Sequence, residues 1–446
     1  MKKIISLIIA VVVVLTFFTL PANAQLNIPE YIRVGLFYNT TAKNTLAISG
    51  ENVQVVCDGV EPIYANQLSV SINEQGFCVN DVLYQTSTLE FVADNEIINI
   101  DSKPYRGYVR LISNGLSFNV INVVKLEEYL YGVLPLEMAT GWPIEALKAQ
   151  AVCARTYAAK DVGRFKQYGF DVTDTTLSQV YGGMKVEKKD TTRAVDETKG
   201  LIATYEGQIA ETYYFSTSNG TTLDVKDVWG SDKYPYLVPV DDSLQANVKP
   251  DLGAWKVEYT KNELTELFEK KGLNLGTILD VTADEYNQQG AVMKLTFRGT
   301  NGTKSYTKGK TRDILNLRSQ TYVLTKLTSG GEEKELKVLT GKGNSVTKLN
   351  LNVISKEGMT TVSDKVNVIS KDKIEIYENS QGDFTGIRLN GTGYGHGIGM
   401  SQNGAKAMAL EGYTFEEIIK HYYTGVELTN VSAEVAEDET VETVGF

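Results

Sequence analysis

A β-branched run that passes into an alanine-rich helical pattern constrains the fold of this 446-residue chain more than any other feature. The run, residues 120–124, predicts a strand, and a short segment of mixed polarity follows it and ends at Met138. Pro143 suits a first helical position, and apolar residues then recur at helical spacing. These residues are Ile144, Leu147, Ala151, Ala154 and Ala158. The stretch therefore predicts a carboxylate, Glu137, at a turn beside a helix with one buried face.

Glu137 is the first candidate for chemistry, because its neighbours Leu136, Met138 and Trp142 are apolar. Burial raises the pKa of a carboxylic acid and can keep it protonated for general acid catalysis. A nearby helix N-terminus acts in the opposite direction. A single Glu is more often a surface carboxylate, so the residues alone leave both interpretations open.

The N-terminus has the pattern of an export signal. Lys2 and Lys3 precede a mostly apolar run over residues 4–20, and Ala22–Ala24 has the form of a signal-peptidase site. The sequence predicts a signal peptide over residues 1–24. The alternative is a membrane anchor through residues 4–20, since about 17 apolar residues fall just short of a full span. In either case the chain is extracytoplasmic.

Charge and cysteine content narrow the partners and the compartment. The formal net charge of −11 disfavours nucleic acid as a partner. Three cysteines argue against a disulfide framework, although a single Cys57–Cys78 bridge stays open in an exported protein. Cys153 lies among alanines and is expected to be a small buried hydrophobe.

Beyond these segments, short strands, turns and helices alternate, which predicts an α+β fold with mainly antiparallel β-sheet around a cleft. The predicted parts are a β-rich N-terminal region (25–120), a mixed core (121–327), a β-rich insertion (328–383), a Gly-rich loop with helices that completes the core (384–430) and an acidic, disordered tail (431–446). Asn-Val-Ile-Ser-Lys occurs at 352–356 and again at 367–371, which predicts a β-hairpin in the insertion. The insertion is a surface decoration or a platform for a substrate or partner.

Glycines alternate with other residues near the C-terminus, at positions 391, 393, 395, 397 and 399. This pattern predicts positive φ angles or a close approach of the backbone to another group. It lacks the ending of a phosphate loop, which disfavours nucleotide binding. Ser401 is expected to cap a helix that runs to about Gly412, and Thr414 with Glu417 predicts a capping box for another helix.

Four blocks of the chain carry a resemblance to a known family. Leu126–Val133, Glu137-Met138 and Glu145–Val152 resemble the signature of the stage II sporulation protein D and LytB amidase-enhancer family. The other similar blocks are Tyr213–Gly220, Val228–Gly230 with Tyr234–Leu237, and Gly393–Gln402. The blocks stand in the family's order and cover most of the chain.

The resemblance implies a lytic transglycosylase that cleaves denuded peptidoglycan glycan strands, in sporulation or cell-wall remodelling. Glu137 would be the catalytic acid and then the base, giving a 1,6-anhydro-N-acetylmuramic acid product. A hydrolase would need a second carboxylate about 5 to 9.5 Å away; the nominees are Glu127, Glu128, Glu145 and Asp227. The alternative function is a non-catalytic, wall-binding enhancer of an N-acetylmuramoyl-L-alanine amidase.

The resemblance also implies a set of substrate-binding residues: Lys148, Gln150, Arg155, Ser216, Ser218, Tyr394, His396 and Gln402. Arg155 fits a structural clamp equally well, and His396 could instead hold its loop through a backbone hydrogen bond. Some relatives carry Cys and His suited to a metal in the middle block, where this chain has Ser216, Ser218 and Asn219. We therefore expect no metal and no cofactor.

Overall fold

The computed structural model describes residue 26, residues 28–332 and residues 382–431, together with the backbone of six short strands between residues 336 and 378. The predicted leader (1–24) and the acidic tail from residue 432 lie outside the described residues. In the part of the chain that is described, no helix is long and apolar enough to cross a membrane. The chain divides into two compact units: Met1–Thr212 with Gly425–Phe446, and Tyr213–Thr424. These limits differ from the six predicted parts, whose boundaries stay predictions.

An 11-stranded, mainly antiparallel sheet makes up most of the first unit. Its strands are β1 (Tyr31–Phe37), β2 (Thr45–Val56), β3 (Ile63–Asn73), β4 (Gly76–Val79), β5 (Val82–Tyr84), β6 (Thr88–Val92), β7 (Ile97–Ile100), β8 (Lys103–Arg106), β9 (Tyr108–Ser113), β10 (Phe118–Lys125) and β11 (Val172–Thr173). The main path runs β11-β1-β10-β9-β6-β2-β3-β4-β5, and β7 joins β2 to β8. Strand β10 contains the predicted β-branched run and is buried along nearly its whole length.

Three helices follow β10 in the described part of the first unit: α1 (Leu126–Glu137), α2 (Ile144–Lys160) and α3 (Lys189–Glu197). The sequence assigned no helix to the segment of mixed polarity before Met138, but α1 spans it up to Glu137. Tyr129, Leu130, Val133 and Leu134 are buried at helical spacing. Pro135 lies in the last turn, where its missing N–H removes a single helical hydrogen bond.

Helix α2 is buried more completely than predicted. We expected one buried face, but buried residues cover all sides of the helix between Ala146 and Ala159, where Lys148 alone is only half-buried. Alanine side chains are short, so neighbouring elements can approach α2 closely on every side. The remaining strands of this unit form a three-stranded sheet of β12 (Leu201–Tyr205), β13 (Gln208–Ile209) and β29 (Glu427–Asn430).

Among its described residues, the second unit combines several small sheets with five helices. The strands are β14 (Tyr214–Phe215), β15 (Trp255–Thr260), β16 (Ile278–Tyr286), β17 (Val292–Gly299), β18 (Gly302–Thr307), β19 (Tyr322–Thr328), β20 (Gly331–Glu332), β27 (Phe384–Gly391) and β28 (Met400–Ser401). The helices are α4 (Val225–Trp229), α5 (Lys261–Lys270), α6 (Lys310–Asp313), α7 (Gln402–Leu410) and α8 (Phe415–Tyr422). Sheet β15-β27-β19-β20 and sheet β16-β17-β18 share one apolar core with α5. The α+β prediction is confirmed.

The backbone of the insertion forms three antiparallel strand pairs. They are β21 (Leu336–Thr340) with β22 (Gly343–Thr347), β23 (Leu351–Ser355) with β24 (Gly358–Val362), and β25 (Lys365–Ile369) with β26 (Ile374–Glu378). The repeated string starts on β23 and again on β25, so each copy opens one hairpin. Short 3₁₀ turns complete the described elements, at Asn39–Thr41, Lys166–Tyr168, Gly183–Val186 and Ser243–Asn247.

The predicted caps are present. The Ser401 side chain accepts the N–H of Gly404 at 3.1 Å and caps α7. Thr414 and Glu417 make both hydrogen bonds of the capping box on α8. Cys57 and Cys78 are free thiols, so the bridge that the sequence left open is not formed, while Cys153 is a buried thiol, as expected.

Candidate active site

Glu137 is the last residue of α1 and its side chain is half-buried. Its predicted apolar setting is only partly present, because Met138 is buried but Leu136 is exposed. The chain leaves α1 through a turn that is tied to α3, since the N–H of Gly141 donates to Asp190 Oδ2 at 2.6 Å. The carboxylate therefore stands at a fixed helix end that solvent can reach.

Arg155 holds α2 against its neighbours. Its guanidinium is fully buried and donates two hydrogen bonds to Glu127 of α1, at 2.8 and 2.7 Å. It also donates to the carbonyl oxygens of Leu201 and Val195, at 3.1 and 3.2 Å. These contacts favour the clamp alternative for Arg155, and its binding of substrate stays a prediction.

Lys148 is likewise engaged by acidic side chains. Its Nζ lies 2.7 Å from Glu197 Oε2 of α3 and 3.1 Å from Glu145 Oε1 of α2. The hydrogen bond that Lys148 donates to Glu197 is the main cause of the raised pKa of Lys148, so the ammonium stays charged. A substrate anion would have to compete with these two carboxylates.

Gln150, on the same helix as Lys148, has a buried amide that lacks hydrogen-bond partners in the described part of the chain. Its side chain is fully buried, yet neither atom of its amide has a hydrogen-bond partner among the described residues. A buried amide without partners costs about 1–3 kcal/mol. A buried amide without a protein partner calls for another partner, such as water or a ligand, and the role of Gln150 in binding stays a prediction.

In the second unit, the middle block and the glycine-rich block lie side by side. Strand β14 pairs in parallel with β28, and Thr217 and Tyr394 exchange two backbone hydrogen bonds of 3.1 and 2.8 Å. The glycine loop, residues 393–399, has positive φ at each of its four glycines. At Gly399 the approach is also close, because an added Cβ would lie 2.1 Å from the Tyr213 carbonyl oxygen. Both parts of the glycine prediction are confirmed.

His396 is held in one tautomer by the glycine loop. Its Nδ1 accepts the N–H of Ile398 at 3.1 Å, so the proton of the neutral ring is on Nε2. Burial, aided by the positive charge of Arg312, lowers the pKa of His396 to about 4. The imidazole is therefore neutral at physiological pH. The Ile398 contact is the backbone hydrogen bond of the alternative role, in which His396 holds its loop.

An exposed aromatic residue beside His396 escaped the sequence analysis. The ring of Trp229 lies 5.2 Å from that of His396 and 4.8 Å from that of Tyr213, and 45% of Trp229 is exposed. Tyr394, which the resemblance did nominate, is 55% exposed. Exposed rings of this kind offer stacking surfaces. The signal available was the position of Trp229 in the middle block, directly before Gly230.

Ser218 belongs to a buried polar network. Its hydroxyl donates to Asp242 Oδ2 at 2.6 Å, and the hydroxyl of Tyr422 donates to Asp242 Oδ1 at 2.5 Å. Burial raises the pKa of Asp242. Gln245 links this network to α7, because its Oε1 accepts from the hydroxyl of Ser401 at 2.9 Å. The network fixes the middle block against the helices that follow the glycine loop.

Ser216 and Gln402 flank the network. The carbonyl oxygen of Ser216 accepts the backbone N–H of Asn403 at 3.1 Å, and its hydroxyl pairs with that of Thr217 at 3.1 Å. Gln402 is the first residue of α7 and is nearly buried. Thus Ser216, Ser218, Tyr394, His396 and Gln402 share one region of the second unit. Their convergence with Glu137 on one cleft stays a prediction.

Comparison with known proteins agrees with the signature blocks. A family model described as stage II sporulation protein matches residues 114–205. The chain is also 30% identical over 329 residues to the stage II sporulation protein D of Bacillus subtilis. This match covers 70% of this chain and 76% of the relative. The chain belongs to the stage II sporulation protein D (SpoIID) family.

Two further proteins are similar to this SpoIID family member. It is 28% identical over 386 residues to an uncharacterized protein of Brachyspira hyodysenteriae, which covers 86% of this chain and 84% of the relative. It is 31% identical over 307 residues to the amidase enhancer of Bacillus subtilis. That match covers 68% of this chain and spans 40% of the amidase enhancer. The SpoIID match of residues 114–205 includes α1, α2 and Glu137, and the glycine loop lies outside it.

Proposed function

We propose that this chain is a lytic transglycosylase that cleaves denuded glycan strands of peptidoglycan, with Glu137 as its acid and base. Membership of the SpoIID family and the relationship to an amidase enhancer support a function related to the cell wall. The finer assignment concerns the reaction itself, and it is supported by where Glu137 lies.

The position of Glu137 at the end of α1 is the observation that carries the proposal. Glu127 and Glu128 are the nominated second carboxylates on the same helix, ten and nine residues earlier. At 1.5 Å per residue, nine residues separate two positions by about 13 Å along the axis and by about half a turn around it. A hydrolase needs its carboxylates about 5 to 9.5 Å apart. This separation of the backbone positions disfavours a hydrolytic pair of either residue with Glu137.

Three of the four nominees also have other side-chain partners. Glu127 binds Arg155, and Glu145 binds Lys148. Asp227 of the second unit accepts a hydrogen bond of 2.8 Å from Asn287 Nδ2. A mechanism that uses one carboxylate twice agrees with this distribution better than one that uses two.

A single carboxylate suffices for a lytic reaction. The protonated Glu137 would donate its proton to the oxygen that leaves C1 of N-acetylmuramic acid. The resulting carboxylate would then take the proton of the C6 hydroxyl of the same sugar, and the C6 oxygen would bond to C1. The bond to the leaving sugar breaks, the 1,6-anhydro ring closes and Glu137 is protonated again, so no water is consumed.

The test is to identify the products by mass spectrometry after incubation of glycan strands, with and without stem peptides, with the native chain and with Glu137→Gln. We expect anhydro-ended fragments from the native chain and a loss of at least about a hundredfold in the variant, because general acid catalysis contributes about that much or more. Lys189→Gln, on the surface of α3, is the control. Reducing-end fragments would contradict the lytic reaction.

The second candidate is a non-catalytic enhancer of an N-acetylmuramoyl-L-alanine amidase, favoured by the similarity to the protein named amidase enhancer. In that case the partner would be a cell-wall amidase, and the chain would bind glycan without cutting it. Absence of any fragments with full glycan binding in both native chain and variant would favour this function.

The proposed function also predicts where in the cell the chain is found. A wall-active chain would be secreted to the cell wall or anchored to the outer face of the cytoplasmic membrane through residues 4–20. Fractionation of cells, with N-terminal sequencing of the exported chain, tests this. A mature chain that starts at Gln25 would establish cleavage of the leader, and a membrane-bound chain that retains residues 1–24 would establish the anchor.

A further inference from the structure

A groove of about 750 Å³ opens on the second unit, and the Glu137 chemistry does not use it. We propose that it binds a neutral saccharide strand rich in hydroxyl and acetamido groups, as a docking site additional to the residues around the glycine loop. Its floor is the end of the three neighbouring strands β15, β27 and β19. The turn between β16 and β17 and the side chain of Asn219 line its edge.

The floor is the outward face of the sheet. Asn390 of β27 lies opposite Lys256 of β15 and Val323 of β19, and directly opposite residues share a face. Side chains two residues apart also share a face. Thr392 and Thr321 therefore lie on the same outward face. Because three strands span about 10 Å, the floor is wide enough for an extended chain to lie across it.

Gly391 allows Trp255 to pack directly beneath the floor of the groove. Gly391 stands opposite Trp255, and an added Cβ there would lie 2.2 Å from the indole ring. The missing side chain lets the indole pack beneath the strand, where its Nε1 donates to Ser319 Oγ at 3.2 Å. The floor is thus supported from below by the apolar core of the unit.

Polar groups without partners surround the floor. Asn219 donates its Nδ2 hydrogen to the Gln289 carbonyl oxygen at 3.0 Å, which leaves its own Oδ1 available. The side-chain amides of Gln289 and Asn390 and the hydroxyls of Thr321 and Thr392 make no hydrogen bond to the described residues. Amides and hydroxyls, each able to donate or accept, thus face one groove.

This chemistry favours a saccharide over a peptide that would pair as a strand with β27. The backbone of β27 is already paired on both sides, so a peptide cannot add to it as a strand. Lys256 is the one charged side chain among the lining residues, and its Nζ lies 2.9 Å from Glu258 Oε1, a carboxylate that also binds Arg388. Recognition therefore depends on side-chain amides and hydroxyls, whose partners on a sugar strand are hydroxyl and acetamido groups.

The test uses the chain with Glu137→Gln, so that no strand is cut, and the tetramer of N-acetylglucosamine as the probe. Calorimetric titration measures its affinity. We expect Gln289→Ala and Asn390→Ala each to weaken binding about fivefold, since one neutral hydrogen bond is worth about that factor. Gln288→Ala, an exposed neighbour in the same turn that does not line the groove, is the matched control and should bind as the parent does.

The outcomes decide the proposal independently of catalysis. A loss of affinity in both groove variants, with the control unchanged, supports it. Equal binding by all variants, or no binding of the tetramer, overturns it, as does binding of free stem peptides with no binding of the sugar. Because nothing is cleaved in this experiment, failure of the transglycosylase proposal would leave its result unaffected.

Discussion

Some charged residues in this protein are buried because they pair with oppositely charged residues that lie far away in the sequence. Arg155 is the clearest case, because a fully buried guanidinium is held by Glu127 on another helix. A buried ion pair is costly to break, since the remaining charge loses its partner. At the residue scale, then, the helical part of the first unit depends on ion pairs that its sequence motif does not reveal.

Arg155→Ala should lower the free energy of unfolding by about 3–5 kcal/mol, because it leaves the Glu127 carboxylate with no guanidinium. Arg193→Ala removes a surface pair with Glu197 and should cost less than about 1 kcal/mol. Urea denaturation of both variants measures the difference. Native stability of Arg155→Ala together with lost glycan binding would instead make Arg155 a substrate ligand.

The lowered pKa of His396 makes a prediction about pH. The folded value of about 4 lies below the reference value of 6.5, so the unfolded chain binds more protons between these limits. The contribution of His396 to stability is complete above pH 6.5 and should be lost as the pH falls towards 4.

Thermal unfolding of the native chain and of His396→Gln over pH 4–8 measures this effect. The native chain should lose more of its melting temperature below pH 6.5 than the variant does. The His396 ring resonance should also stay constant between pH 5.5 and 8. A titration midpoint near 6.5 would show that the ring is not buried as described.

At the scale of elements, the glycine loop shows how a local sequence pattern encodes a backbone path. Its four glycines with positive φ carry the chain past β14 and into the cap of α7. The alternation of glycines could be read directly from the sequence, because positive φ is a property of single residues. The contact of the loop with Tyr213 could not be read from the sequence.

Gly399→Ala tests the close approach at Tyr213. Alanine at positive φ costs about 1–2 kcal/mol, and crowding against the Tyr213 carbonyl should add about 1–3 kcal/mol. Gly412→Ala is the matched control, since Gly412 also has positive φ but nothing lies within 4 Å of an added Cβ. Equal destabilisation of the two variants in urea would rule out the crowding.

At the scale of the whole molecule, the insertion begins and ends at two residues of the second unit that are hydrogen-bonded to each other. The N–H of Ser329 donates to the Asp383 carbonyl oxygen at 2.9 Å, and the N–H of Asp383 donates to Ser329 Oγ at 3.0 Å. The ladder between β19 and β27 is therefore complete before the insertion begins, which agrees with an insertion carried as a decoration.

Deletion of residues 331–381 would join Gly330 to Gly382 and create a two-residue Gly-Gly turn between Ser329 and Asp383. Such a turn suits a hairpin. We expect a stability within about 2 kcal/mol of the native value, since loop length affects closure only weakly. Circular dichroism and thermal unfolding check this. An unfolded product would show that the unit requires the insertion.

The sequence predicted the features that depend on neighbouring residues: the strand β10, the helix α2, the caps of α7 and α8 and the positive φ of the glycine loop. It also determined family membership, through strings such as Leu126–Val133. Each of these follows from local periodicity or from the chemistry of single residues.

Tertiary structure alone decided which partners the polar side chains have. Arg155 meets Glu127 across 28 residues, and Tyr422 meets Asp242 across 180. It also decided that α1 extends to Glu137, since burial of one face stabilises a helix whose last turn contains a proline. Contacts between distant segments leave no periodic trace in a single sequence, so they emerge only when the chain is folded.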